Sequence, residues 1–294
     1  MLYLSKSGCV ISMQSNRAIN REISSEEKEP AQIDSGQAPE LVDASSQKEI
    51  LEGYAQRFAF LGNSLLSPMS QTSAIGLEPD FWLQFPVLED QHVRASCEKL
   101  AKWAKTYKGI PTKEGAESIE ESVKDRKSQE DLTIQQNLGT QQNLETQQNL
   151  ATHQNLETQR KVTGVSVEFT HLFVGPPRPS AYPWETFYRG EGITNGFGHA
   201  TLEMKQALQE IGLKLDNKNN QYEDHIGIEL LYISELCSKG IDAVVAHKSF
   251  IEAHPLSWID KLQASIHAEN PGGYFDLVVG LTKQLLISFK KNIL

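Results

Sequence analysis

Residues 224–237 read Asp-His-Ile-Gly-Ile-Glu-Leu-Leu-Tyr-Ile-Ser-Glu-Leu-Cys. Ile226, Leu230, Ile233 and Cys237 recur at steps of four, three and four, with Leu231 beside them. Such steps place side chains on one face of a 3.6-residue helix, whereas a half-buried strand alternates every second residue. The pattern repeats outward in both directions. Downstream, His254-Pro255 opens a helix with the stripe Trp258, Ile259, Leu262 and Ile266. Asn270-Pro271 opens a last one with Tyr274, Leu277, Val278, Leu281, Leu285 and Phe289 inward. Proline suits a first turn, where its missing N–H would have no partner within the helix. Upstream, Gly198 to Ile211 reads as a helix with Leu202, Ala207, Leu208 and Ile211 inward, stopped by Gly212. Earlier still lie the stripes Ile50, Leu51, Tyr54, Phe58, Leu61, Leu65 and Val93, Cys97, Leu100, Ala101, Ala104. Val165-Ser166-Val167 alone could pass for a strand, but its neighbours are helical. The expected class is all-α, a compact multi-helix bundle.

The chain divides by composition. Residues 1–46 are rich in Ser, Glu, Gln and Asn without a sustained period and read as a disordered tail. Residues 47–110 hold the N-terminal helices. Residues 111–160 form a low-complexity insertion in which Gln-Gln-Asn-Leu recurs at 135–138, 141–144 and 147–150, with His153-Gln154-Asn155-Leu156 as a fourth copy. A period of six also marks hexapeptide β-helices, but one leucine per turn is too little apolar surface to close a core. The repeat is expected to stay solvated as a linker. Residues 161–294 carry the remaining helices.

The formal net charge is −10, of which only −2 falls in residues 160–294 (13 Lys/Arg against 15 Asp/Glu). That balance argues against nucleic acid, which requires clustered cations. It suits a basic peptide. Cys9, Cys97 and Cys237 are isolated, with no Cys/His grouping of zinc spacing. No metal and no cofactor are expected. Neither an export signal nor an apolar run long enough for membrane insertion is read, so a cytoplasmic location is expected.

Two segments have chemistry to offer. In the first, Glu168-Phe169-Thr170-His171-Leu172-Phe173-Val174-Gly175-Pro176-Pro177 ends a helical turn, and a proline-fixed loop then displays Tyr182, Trp184, Phe187 and Tyr188. Four aromatics on one loop call for a surface to cover, either the core's own end or an apolar peptide. In the second, Glu223-Asp224-His225 opens the quoted helix. Asp224 could cap it, or could pair with Glu223 to hold an arginine. Catalysis by an Asp224/His225 hydrolase is an alternative, although no nucleophile elbow, phosphate loop or HExxH pattern accompanies it. A scaffold that recruits partners through the Gln-rich repeat is a further one.

These segments resemble the TorD/DmsD family of twin-arginine leader chaperones. Phe169, Leu172, Phe173, Gly175-Pro176, Pro183-Trp184-Glu185 and Tyr188 carry the resemblance in the first, and Asp224-His225 with Ile226 to Leu230 in the second. Residues 165–290 carry it most strongly. Where that family has a proline two residues before the aspartate, this chain has Tyr222. The resemblance implies a TorD-like bundle without enzymatic activity. It implies a chaperone that holds the twin-arginine leader of an apo molybdoenzyme of the dimethyl sulfoxide reductase class until cofactor insertion. An assembly chaperone for the body of a nitrate-reductase-like subunit is the neighbouring alternative. Leu172, Phe173, Trp184, Glu185 and Tyr188 are expected to line the leader's groove. Glu223 and Asp224 are expected to meet its arginines, and His225 to fix Asp224 or touch the peptide backbone. A monomer or a helix-exchanged dimer would both be compatible.

Overall fold

Helix α1 (Ala44–Leu66) buries Leu51, Tyr54, Phe58, Leu61 and Leu65, the stripe expected from the spacing. The structure, a computed structural model, describes residues 10–13, 44–110, 138–190, 192, 196–216 and 221–294. Most of the expected tail, and residues 111–137 of the expected insertion, lie outside the described residues. Short α2 (Pro79–Leu83) follows and seats Trp82, whose indole nitrogen donates to the Gly76 carbonyl at 2.8 Å. Helix α3 (Gln91–Thr106) is capped by Asp90, which accepts from the His92 and Val93 amides.

Helix α4 (Leu138–Phe169) runs for 32 residues and crosses the boundary drawn at residue 160. Its amino-terminal half is the Gln-Gln-Asn-Leu repeat. Six residues turn an α-helix through about 600°, so successive leucine positions fall about 120° apart. A helix with that repeat has no apolar face to bury. Val162 packs against the core, and Val165 and Phe169 are buried in it. Val165-Ser166-Val167 is helix, not strand.

The carboxy-terminal part contains α5 (His199–Glu210), α6 (Ile226–Lys239), α7 (Ile241–Ala246), α8 (Lys248–Ala253), α9 (Pro255–Glu269) and α10 (Tyr274–Ile293). α6 is the central helix. Beyond the expected stripe, Ile228, Tyr232 and Leu236 are also buried, so it is covered all round. It lies closest to α1 where two glycines meet. A Cβ on Gly227 would fall 2.7 Å from the Gly62 carbonyl oxygen and 2.5 Å from Leu66 Cγ. α10 packs on both α3 and α9.

Three expectations change. Leu202 is half exposed, because α5 turns Ala200, Thr201, Met204, Ala207 and Leu208 inward instead. α10 begins at Tyr274 with Gly273 as its cap, not at Pro271. A two-stranded antiparallel ribbon pairs β1 (Val10–Met13) with β2 (Leu213–Asp216), Val10 opposite Asp216 and Met13 opposite Leu213. β1 falls within the segment read as a disordered tail. β2 buries Leu213 and Leu215 and exposes Lys214, a period-two pattern too short to stand out in sequence. The class remains all-α. No described helix is long and apolar enough to cross a membrane.

Candidate functional site

α4 does not end cleanly. Thr170–Val174 continues it as a π-helical turn, a rare form that often marks functional sites, and Gly175 at φ +70° stops it. Glu168, just before that turn, accepts from the Phe275 and Tyr274 amides at 3.0 and 3.3 Å. One carboxylate thus anchors the first motif to the amino terminus of α10. Burial raises the Glu168 pKa against those two bonds.

The proline loop then crosses to the start of α6. Trp184 and His225 form a single antiparallel bridge: the Glu185 amide donates to the Asp224 carbonyl at 3.0 Å and the Ile226 amide to the Pro183 carbonyl at 2.9 Å. The two motifs are therefore one backbone unit. Asp224 is fully buried beneath it. Its Oδ2 accepts from the Thr186 amide at 2.9 Å and the Thr186 hydroxyl at 2.6 Å, and its Oδ1 from the Thr201 hydroxyl at 3.0 Å. Burial pushes its pKa up while these bonds pull it down.

The cap of α6 is His225 and not Asp224. Its Nδ1 accepts from the Gly227 amide at 3.0 Å, which leaves the ring proton on Nε2. Burial lowers its pKa to about 3, so the ring is neutral at any ordinary pH. Asp224 bonds to two threonines and His225 to the backbone, so they do not form the Asp–His pair that the hydrolase alternative requires.

The other expected residues divide. Leu172 is fully buried, with its carbonyl taking the Ala181 amide at 2.9 Å. It belongs to the core, which corrects its groove-lining role. Asp224, with its oxygens already occupied and out of solvent, is likewise corrected from an arginine contact to a structural node. Tyr188 stacks on Trp258 at 5.3 Å and ties the loop to α9. Glu223 remains partly exposed. Phe173 and His225 line a cavity of about 260 Å³ whose wall is part apolar (Leu66, Pro68, Phe169, Val174) and part polar (Ser67, Gln71, Gln221). Next to it Trp184 meets the His225 ring edge-on at 5.8 Å, and its buried indole N–H has no acceptor among the described residues. From Trp184 a partly exposed aromatic strip continues through Tyr222 at 6.4 Å and Phe187 at 6.1 Å, with Tyr182 stacked on Phe187 at 4.0 Å.

Glu185 points away from this strip. It is fully buried and joins a cluster that sequence reading missed. Its Oε1 accepts from Arg189 Nε at 2.9 Å, and its Oε2 lies 2.8 Å from His254 Nδ1. Arg189 also pairs with Glu203 at 2.8 Å. Glu229, buried in α6, accepts from Trp258 Nε1 at 3.2 Å. Its pKa is raised well above the usual carboxylate range, by burial first and then by the charges of Glu185 and Asp224. A lone glutamate inside the apolar run Ile226–Ile233 was the one available signal for this cluster. Thr186 and Thr201 gave none, since a hydroxyl partner comes only with the fold.

Residues 137–264 match the family model described as nitrate reductase delta subunit. Over that span the chain is similar to the family of nitrate reductase delta subunits and TorD chaperones. The matched span starts just before α4 and ends inside α9, so it includes the Trp184 loop, the Asp224 node and His254. The chain is similar to the chaperone protein TorD of Vibrio cholerae serotype O1 (strain Classical Ogawa 395), with 28% identity over 104 residues. That alignment takes in 32% of this chain and 46% of the relative. It is also similar to the TorD of Photobacterium profundum, 26% identical over 127 residues, 40% of this chain and 58% of that one. The chain thus spans about half the length of the curated relatives it matches. No solved structure matches it.

Proposed function

We propose that this chain is a cytoplasmic, non-enzymatic maturation chaperone of the TorD type. It binds the twin-arginine leader of a molybdenum-containing reductase and holds it until cofactor insertion and export. The observation that carries this reading is the surface around Trp184. A partly exposed aromatic strip and a small cavity of mixed polar and apolar lining adjoin on the two motifs. At about 260 Å³ the cavity is below the usual range for a small-molecule site and fits one bulky side chain. It would take an anchor from the leader's apolar stretch, with the strip covering the rest in helix-in-groove fashion. Phe173, Trp184 and His225 make these contacts, and Glu223, the acid of the second motif still at the surface, meets an arginine.

The experiment is titration of a synthetic leader into the full chain and into Trp184→Ala. A central aromatic contact makes the variant weaker by about 2 kcal/mol, roughly thirtyfold. Equal affinity would reject the Trp184 surface as the site. The name of the matched family model favours a second reading, in which the client is the body of a nitrate-reductase-like subunit. Binding of the leaderless subunit, with none to the isolated leader, would select it.

A further inference from the structure

We propose that Glu185, Glu229 and His254 form a site for one divalent transition-metal ion of the zinc class. The three are fully buried or nearly so, and one ligand atom from each lies within 4.8 Å of the others. Their outward atoms are already engaged. Arg189 donates to Glu185 Oε1 at 2.9 Å, and Trp258 donates to Glu229 Oε2 at 3.2 Å. His254 Nε2 faces Glu203 Oε2 at 3.9 Å. Glu185 Oε2 and His254 Nδ1 face one another at 2.8 Å, and Glu229, whose Oε1 is buried with no donor among the described residues, lies against Glu185.

This is how metal-binding side chains are arranged. A ligating histidine presents one ring nitrogen to the ion and turns the other towards a carboxylate, and ligating carboxylates are themselves hydrogen-bonded. Two carboxylates and one imidazole suit zinc, with a water as fourth ligand. Tetrahedral ligands about 2.1 Å from the ion sit about 3.4 Å apart, so from separations of up to 4.8 Å the cluster has to close by at most about 1.4 Å. Carboxylates outnumber the Arg189 cation around this cluster, so a divalent ion offsets part of the excess negative charge. An ion here requires both glutamates ionised and His254 Nδ1 unprotonated. The ion takes the place of the 3.1 Å contact between Arg189 Nη2 and His254 Nδ1, while the Arg189–Glu203 pair stays at the mouth. The site would fasten the Trp184–Tyr188 loop to α6 and to the start of α9.

Spacing in the sequence could not reveal such a site, because its members come from a loop and two helix starts. The test uses the full chain, stripped with a chelator and titrated with ZnCl2 and, separately, CoCl2. The expected result is one ion per chain, with the strong visible absorption of four-coordinate cobalt. Glu229→Gln, which keeps size and the Trp258 bond, should weaken zinc binding at least tenfold, as should His254→Gln. If either variant fails to fold, the wild-type cobalt spectrum decides. No saturable ion, a weak six-coordinate spectrum, or zinc binding unchanged in both folded variants would overturn the proposal.

Discussion

Replacing Asp224 with alanine separates a structural role from a ligand contact. The carboxylate is fully buried and accepts from the Thr186 amide, the Thr186 hydroxyl and the Thr201 hydroxyl. Alanine removes the acceptor for all three. A buried donor left without a partner costs about 1–3 kcal/mol. The hydroxyls can rotate to nearby carbonyls, whereas the amide is fixed and takes the full cost. The Asp224 carboxylate is itself held at a desolvation cost, which offsets part of the loss. The sum is about 2–3 kcal/mol, a sizeable share of a typical domain's stability. At roughly 2–4 °C per kcal/mol for a chain of this size, the melting temperature should fall by about 5–10 °C. Urea and thermal melts read this directly. Glu223→Ala, a neighbour that stays partly exposed, should change stability by about 0.5 kcal/mol or less. An Asp224→Ala protein that melts like wild type but no longer binds leader would refute the reasoning, because the carboxylate would then face ligand and not Thr186 and Thr201.

Acid should destabilise the fold through His225. Its folded pKa of about 3 lies below the ordinary 6.5, so the unfolded chain binds the extra proton and stability falls with pH between those values. From pH 7 to pH 5 the loss from this group is about 2 kcal/mol in urea midpoints. His225→Asn, which keeps a capping acceptor, should remove that part of the slope. Gly227→Ala should cost about 2–3 kcal/mol, since its methyl would meet the Gly62 carbonyl and Leu66, and a thermal melt checks it.

The helices could be read from the sequence because their apolar stripes are also their buried faces, as in α1, α3 and α9. Reading failed where a residue's role depends on a distant partner. Leu202 was assigned inward on hydrophobicity, yet α5 turns Thr201 inward to reach Asp224. The two motifs were visible as motifs, and the bridge that joins Trp184 to His225 was not. Glu185 looked like a surface residue of an aromatic loop, but it faces His254 and Arg189 inside the protein. The Gln-rich repeat has no apolar stripe, so its helix comes from continuity with the core-packed end of α4.

The central claim concerns the leader, and calorimetry of the full chain against synthetic leaders tests it most directly. The peptides should carry the same apolar stretch behind either Arg-Arg or Lys-Lys. The account predicts saturable one-to-one binding of the Arg-Arg peptide, weakened by added salt and by the Lys-Lys exchange, because lysine cannot make the planar two-point contact that arginine makes with a carboxylate. Absence of binding to either peptide, from leaders of all candidate reductases, would contradict it.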